Sequence, residues 1–248
     1  MARPSATVEV ALELHATRLA DLELLDEPAI DVMPRERSES VSRAVNIVLA
    51  AVALVIISPL LALIALAIKL TSRGPILYSQ TRVGVDRRYR ETTTYDRRGH
   101  DHGGRLFQMY KFRSMRVDAE PDGRAVWASQ ADPRATTVGR ILRRTRLDEL
   151  PQLYNVLRGD MNIVGPRPER PSIFERLRQD IPEYPMRQRV RPGITGWAQI
   201  NQAYDACVDD VRSKVRYDLE YLRRQGILED LRIMSMTLPV MLFRKGGW

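Results

Sequence analysis

Asp148 and Glu149 stand side by side in a part of the chain crowded with cations: Arg134, Arg140, Arg143, Arg144, Arg146, Arg158 and Arg167. Leu150-Pro151-Gln152 follows, and proline is tolerated in the first turn of a helix, where its missing donor would be unpaired anyway. A helix starting there places Asp148 at or near its N-terminus, where backbone amides and the dipole favour anions. A carboxylate so placed is either a helix cap, or a nucleophile or metal ligand working beside a bound phosphate. Neighbours on a helix point about 100° apart, so the two acids have different roles.

The cations suit a phosphate-bearing substrate, because arginine forks match phosphate oxygens bidentately. In Gly165-Pro166-Arg167-Pro168 two prolines fix the backbone around one arginine and pre-orient it for a defined anion; a purely structural turn is the competing reading. Lys111-Phe112-Arg113 puts two cations on one face of a strand and Phe112 on the other. No Ser-His-Asp pattern is present, and His100 and His102, in a Gly-rich stretch, read as solvated rather than as metal ligands. The best-fitting chemistry is phosphoryl transfer with Mg²⁺ bridging carboxylate and diphosphate.

These residues need a platform, and the chain supplies an apolar one. From Ile47 to Ile68 only Ser58 and Pro59 are not strongly apolar, and no charge interrupts the run. Such a segment marks a bilayer element rather than a core helix. It begins too deep in the chain for a cleaved signal peptide. A straight helix over it would be about 33 Å long, enough to span, but proline kinks or breaks a helix and leaves halves of roughly 15–18 Å. Arg43 on one flank and Lys69 and Arg73 on the other all prefer the cytoplasmic face. A helix-break-helix at Ser58-Pro59 that enters and returns satisfies both flanks; a kinked span is the alternative. Ser58 is placed to supply a donor to carbonyls that Pro59 frees.

Around this segment the periodicities predict strands over Ile76–Val83 and Leu106–Phe112, paired as a hairpin, and helices over 138–144, 149–157, 171–179 and 208–225. The last carries Val211, Val215, Leu219 and Leu222 on one stripe, with charges elsewhere. Residues 227–243 are apolar and Met-rich, and either lie on the membrane surface beside Arg244 and Lys245 or pack in the core. The divisions are an N-terminal extension over 1–40, with weak periodicity from Val8 to Leu25, a membrane element over 41–73, and a catalytic domain over 74–248 with a polar insertion at 86–104. The fold class is mainly α with a small β-hairpin, a monotopic membrane protein with a cytosolic catalytic domain. Net charge is +8, which suits anionic lipid or a phosphate-bearing substrate; nucleic acid loses ground because no zinc-finger, helix-turn-helix or RNA-binding pattern occurs. The single cysteine, Cys207, forms no internal disulfide and suits a reducing cytosol.

The ordered segments Tyr110–Met115, Asp132-Pro133-Arg134, Leu142–Leu153, Asn155-Val156-Leu157, Gly165–Pro168 and Arg191–Gly196 resemble the bacterial sugar transferases, the monotopic polyprenyl-phosphate hexose-1-phosphate transferases. The likeness runs from about Ser42 to Leu242. It implies that a UDP-sugar gives its phosphosugar to a polyprenyl phosphate, commonly undecaprenyl phosphate, and releases UMP. The resemblance makes Asp148 the nucleophile and Glu149 the second acid, for Mg²⁺ binding or for positioning the aspartate. It makes Arg167 a contact to the UDP-sugar and Ser58-Pro59 the break of a re-entrant membrane helix; Lys111, Arg113 and Arg143 match basic family positions, and we infer phosphate contact for them from their charge. It further implies the cytoplasmic face of the inner membrane, exopolysaccharide, capsule or glycoconjugate assembly, and a homodimer and downstream glycosyltransferases as partners. Two departures stand out. The insertion at 86–104 exceeds the usual hairpin turn, and the upstream transmembrane helices of larger members are lacking, so a short form is expected. A membrane-attached glycosyltransferase releasing UDP and a non-catalytic membrane adaptor are the rival readings.

Overall fold

A computed structural model describes residues 31–88, 101–119, 132–202 and 208–243. The Val8–Leu25 periodicity, His100, most of the 86–104 insertion, Cys207 and the Arg244-Lys245 pair lie outside the described residues.

The apolar run forms one helix, α1 (Glu39–Thr71). Ser38 caps it by accepting the Val41 amide at 3.4 Å, and Glu39 and Lys69 match the helix dipole at the two ends. The helix continues through Pro59 rather than breaking there. Proline at 59 leaves the Val55 carbonyl without its usual amide, and the Ser58 hydroxyl donates to that carbonyl at 2.8 Å instead. The expected role of Ser58 is therefore seen, while the interruption of helical structure is not.

Both ends of α1 are seated on the rest of the protein. At the first end Ser42, Asn46 and Ala50, spaced four apart, are buried. Arg43 donates to the carbonyls of Val156 and, at 2.6 Å, Leu157. Those carbonyls end helix α3 (Gln152–Arg158), where the dipole is negative and the last groups lack helical partners. The Asn46 side chain accepts the Ile163 amide at 2.7 Å, and Ala50 sits among Phe107, Met109, Leu153, Val156 and Met161. At the other end Ile64 and Ile68 pack with Phe112 and Leu142. Between and outside these contacts, large aliphatic side chains are uncovered: Val55 is 74%, Ile56 71% and Leu63 63% exposed. The helix is long and apolar enough to cross a membrane, and an apolar stripe this extensive, left open by its own fold, marks a membrane-contacting surface.

Strands β1 (Leu77–Val83) and β2 (Leu106–Phe112) form the expected antiparallel hairpin, with Leu77 opposite Phe112 and Val83 opposite Leu106. Arg113 lies one residue beyond β2, so the shared face expected for Lys111 and Arg113 is interrupted where the strand ends. The free edge of β2 is sealed by a side chain rather than by a strand. Fully buried Asn155 accepts the Tyr110 amide at 3.0 Å and donates to the Gln108 carbonyl at 2.6 Å.

A second pair, β3 (Asn162–Val164) and β4 (Gly193–Thr195), is parallel. The chain between them carries α4 (Pro171–Asp180) and a 3₁₀ helix, Tyr184–Arg189. The approach is close enough that a Cβ on Gly193 would lie 2.1 Å from the Gly165 nitrogen. After α5 (Trp197–Asn201) come α6 (Val208–Arg224) and α7 (Ile227–Phe243), each matching its expected range. Tyr221 and Leu222 of α6 and Ile233 of α7 join Val164, Val190 and Trp197 in one core. Helix α7 packs in the core through Ile233, which is fully buried, while Leu228 is 83% exposed.

Because both ends of α1 rest on one body, they should lie on the same side of a bilayer. Single cysteines at Ser40 and Arg73, in a Cys207→Ser background, are expected to react with a membrane-impermeant maleimide from one side only. Labelling of the two from opposite sides would show a spanning helix.

Candidate active site

The acid pair is delivered by a reversal of the chain. Helix α2 (Thr137–Arg144) starts at Thr136, whose hydroxyl accepts the Gly139 amide at 2.9 Å. Gly139 has no room for a side chain, because a Cβ would meet the Ser114 carbonyl at 1.8 Å. After Thr145 the chain turns through Arg146, whose φ of 55° is left-handed. A single 3₁₀ turn follows, Leu147–Glu149. Leu147 and Leu150 reach into the cluster formed by Ile64, Ile68, Phe112 and Leu142. The membrane-contacting helix thus helps to fix the turn that carries the acids. Asp148 thus lies near the N-terminus of α3, as the sequence leads one to expect, but on a separate 3₁₀ turn rather than as the cap: α3 starts at Gln152, with Pro151 as its cap.

Asp148 and Glu149 are both largely buried, yet their surroundings differ. Glu149 is locked. Lys111 of β2 donates to its Oε1 at 2.8 Å, and Arg167 reaches the same oxygen and, at 3.2 Å, Oε2. Burial pushes the Glu149 carboxyl up, but Arg167 and Lys111 outweigh it and hold it well below the usual carboxylate range. Asp148 makes no hydrogen bond or ion pair among the described residues, and burial is the largest influence on it. Its carboxyl is raised above the ordinary value, with Glu149 adding to the rise and Lys111, Arg167 and Arg143 opposing it. Burial also pulls the Lys111 ammonium below its ordinary value against the pull of Glu149. One acid is therefore fixed as an anchor, and the other is left with unpaired, comparatively basic oxygens.

The remaining residues singled out in the sequence divide. Lys111 and Arg167 meet at Glu149. Arg143 stands 4.0 Å from Asp132, which Arg134 also holds at 2.6 Å, while its charge still acts on Asp148. Arg113 points elsewhere, donating to the Ser72 carbonyl at 2.9 Å and hydroxyl at 2.6 Å, where it ties the end of α1 to the hairpin. Ser58 and Pro59 lie in the exposed middle of α1.

Sequence reasoning missed the charged assembly behind Arg167. Arg187, fully buried, donates to the Arg167 carbonyl at 3.1 Å, and Arg82 donates to the Pro168 carbonyl at 2.9 Å. Arg187 is paired with Asp218 at 2.6 Å and with the Tyr184 hydroxyl at 2.8 Å. Glu169 lies 3.6 Å from Arg82 and 3.1 Å from Lys214. Burial pushes the Glu169 carboxyl up, but Lys214, Arg82 and Arg187 hold it at about 2. The backbone of Gly165–Pro168 is thus gripped from both sides. The available signal was Asp218, an acid falling on the stripe of Val211, Val215 and Leu222, where it is buried with them.

Together these groups can present one unpaired carboxylate to an anionic phosphorus centre while cations hold its charge. Residues 37–244 match the family described as bacterial sugar transferase. The chain is 45% identical over 198 residues to the UDP-glucose:undecaprenyl-phosphate glucose-1-phosphate transferase of Escherichia coli (strain K12), covering 79% of this chain and 39% of that protein. It is 39% identical over 202 residues to the UDP-N-acetylgalactosamine-undecaprenyl-phosphate N-acetylgalactosaminephosphotransferase of Aeromonas hydrophila, covering 82% of this chain and 44% of that protein. Against the exopolysaccharide production protein PSS of Rhizobium leguminosarum bv. phaseoli it is 36% identical over 214 residues, covering 83% of this chain and 97% of that protein. The chain therefore spans about two fifths of the length of the first two relatives and nearly all of the third. Since the match takes in every element from α1 to α7, the chain belongs to the bacterial sugar transferase family.

Proposed function

We propose that this protein transfers a hexose 1-phosphate from a UDP-sugar to a polyprenyl phosphate such as undecaprenyl phosphate, releasing UMP. The observation that carries this reading is the division of labour in the acid pair, with Glu149 fixed by two cations and Asp148 left unpaired in a cationic setting. In the first step an Asp148 carboxylate oxygen bonds to the β-phosphorus of the UDP-sugar. The bond from that phosphorus to the bridging oxygen breaks, and UMP leaves with the electron pair. In the second step an oxygen of the polyprenyl phosphate attacks the phosphorus held on Asp148, and the carboxylate is regenerated. Lys111, Arg167 and Arg143 counter the negative charge that the diphosphate brings. The relatives' names, which join undecaprenyl phosphate to glucose 1-phosphate and N-acetylgalactosamine transfer, support the same reaction class.

No cluster of three acids, histidines or cysteines stands ready for a metal among the described residues, so Asp148 is the residue that would hold Mg²⁺ beside a bound diphosphate. Asp148 offers a free hard oxygen, whereas the oxygens of Glu149 already face Lys111 and Arg167. Bound there, the ion would neutralise the diphosphate charge. Placement at the cytoplasmic face of the inner membrane, with α1 as a monotopic re-entrant element, is supported by the seating of both its ends on one body. Such a mount lets a water-soluble sugar nucleotide meet a lipid phosphate, as the first membrane step of exopolysaccharide, capsule or glycoconjugate assembly requires.

Asp148→Asn should abolish UMP release and covalent retention of label from a UDP-[³²P]sugar. UDP as the released nucleotide would favour the rival glycosyltransferase reading, and full activity of the variant would remove the nucleophile. EDTA should stop turnover and added Mg²⁺ should restore it; undiminished activity in the chelator excludes the metal. The raised Asp148 carboxyl sets the sign of the pH dependence. Its ionised form is lost as pH falls through a value above the ordinary ~3.9 of aspartate, so the acid limb of the rate profile should lie above that pH. Lys111→Met removes a charge that opposes the rise and should move the limb to higher pH, whereas a downward shift would contradict the assignment.

A further inference from the structure

The stretch Arg191–Gly196 contributes to the family resemblance, and Gly193 is explained by the close β3–β4 approach. The Arg191 side chain is not. It makes no hydrogen bond or ion pair among the described residues, and it lines an open cleft at the first turn of α1. The other cations of the cleft have partners. Arg37 is 3.2 Å from Asp230, Arg189 donates to the Val32 carbonyl at 2.7 Å, and Arg87 lies 3.3 Å from Glu39 in a half-exposed pair. The main charges acting on Arg191 are those of Glu39 and, opposing it, Arg87, Arg43 and Arg37. Burial and these neighbouring arginines lower its guanidinium below the ordinary value, the mark of a cation short of anions.

A second group points the same way. Gln225, 3% exposed, lines the cleft with a buried Oε1 that has no hydrogen-bond partner, while its Nε2 donates to the Arg35 carbonyl at 2.7 Å. A buried acceptor calls for a donor. The cleft therefore offers a fork for a phosphate and an acceptor for a hydroxyl or ammonium hydrogen. Its floor includes Ser42 of α1, and the exposed side chains of Val41 and Val48, 49% and 59% accessible, run outward from there along the helix.

We propose that Arg191 and Gln225 form a headgroup site for a glycerophospholipid, with the phosphodiester on Arg191 and the headgroup donor on Gln225. The acyl chains then follow the exposed face of α1 into the bilayer. The site rests on the membrane contact of α1 and is independent of the reaction at Asp148. It pins the start of α1 at the level of the lipid phosphates, where Arg43 fastens the same helix to α3.

The full chain in a neutral maltoside detergent is titrated with dioctanoylphosphatidylglycerol, dioctanoylglycerol or inorganic phosphate, reading the thermal unfolding midpoint. Saturable stabilisation is expected from the phosphatidylglycerol alone. Arg191→Gln should weaken it at least tenfold while UMP release in detergent is kept. Arg191→Lys, which keeps charge but not the fork, should retain part of the affinity and serves as the test if the glutamine variant does not fold. Equal stabilisation by inorganic phosphate would make this a free-phosphate site and overturn the lipid assignment. Equal stabilisation by dioctanoylglycerol, or unchanged phosphatidylglycerol affinity in both Arg191 variants, would overturn the site itself.

Discussion

The constraint on which the structure turns is the burial of the Glu149 carboxylate. A carboxylate taken out of water without partners costs several kcal/mol, and removing one partner from a buried pair typically costs about 3–5 kcal/mol. Lys111 comes from β2, Arg167 from the loop after β3, and Glu149 from the 3₁₀ turn between α2 and α3. One carboxylate therefore holds three separate segments in register. Because these cations are engaged by Glu149, Asp148 is left beside them without a hydrogen-bonding partner among the described residues.

Arg167 can play this part only if its own backbone is fixed. Arg187 and Arg82 hold the carbonyls of Arg167 and Pro168, and each of these arginines is balanced in turn, Arg187 by Asp218 and Arg82 by Glu169, which Lys214 shares. Buried charges of this kind are poor sources of net stability, but they fix geometry, since every alternative packing strands a charge. With five cations against four carboxylates in this assembly, including Asp148, the centre is left short of anions and suited to a diphosphate.

The apolar helix is part of the same construction. Ile64 and Ile68 share a cluster with Leu147 and Leu150, the residues on either side of the acid pair. At the opposite end Ala50 packs with Val156 and Leu153 of α3, whose Asn155 seals the edge of β2 carrying Lys111. The apolar helix thereby packs on both sides of the turn that carries the acid pair. Pro59 sits between these two seats, where Ser58 compensates for the missing amide and bending costs little.

The sequence by itself determined the apolar helix, the hairpin and its near-exact bounds, the later helices and the acid pair with Lys111 and Arg167. Each is written in local chemistry: an uninterrupted apolar run, alternation of period two, a proline-fixed arginine. It placed Asp148 near the start of α3 but did not reveal the separate 3₁₀ turn that carries it, because the left-handed turn at Arg146 has no glycine to announce it. It grouped Arg113 with Lys111, because periodicity cannot show that the strand ends at Phe112. It left Arg187, Asp218 and Glu169 unread, and Asp218 was counted with the solvated charges of its helix. Only the tertiary structure decided those positions, together with the division of roles between Asp148 and Glu149. The physical reason is that a charge's function depends on which distant charge it is buried against, and pairs such as Lys111–Glu149 and Arg187–Asp218 are made by folding rather than by spacing along the chain.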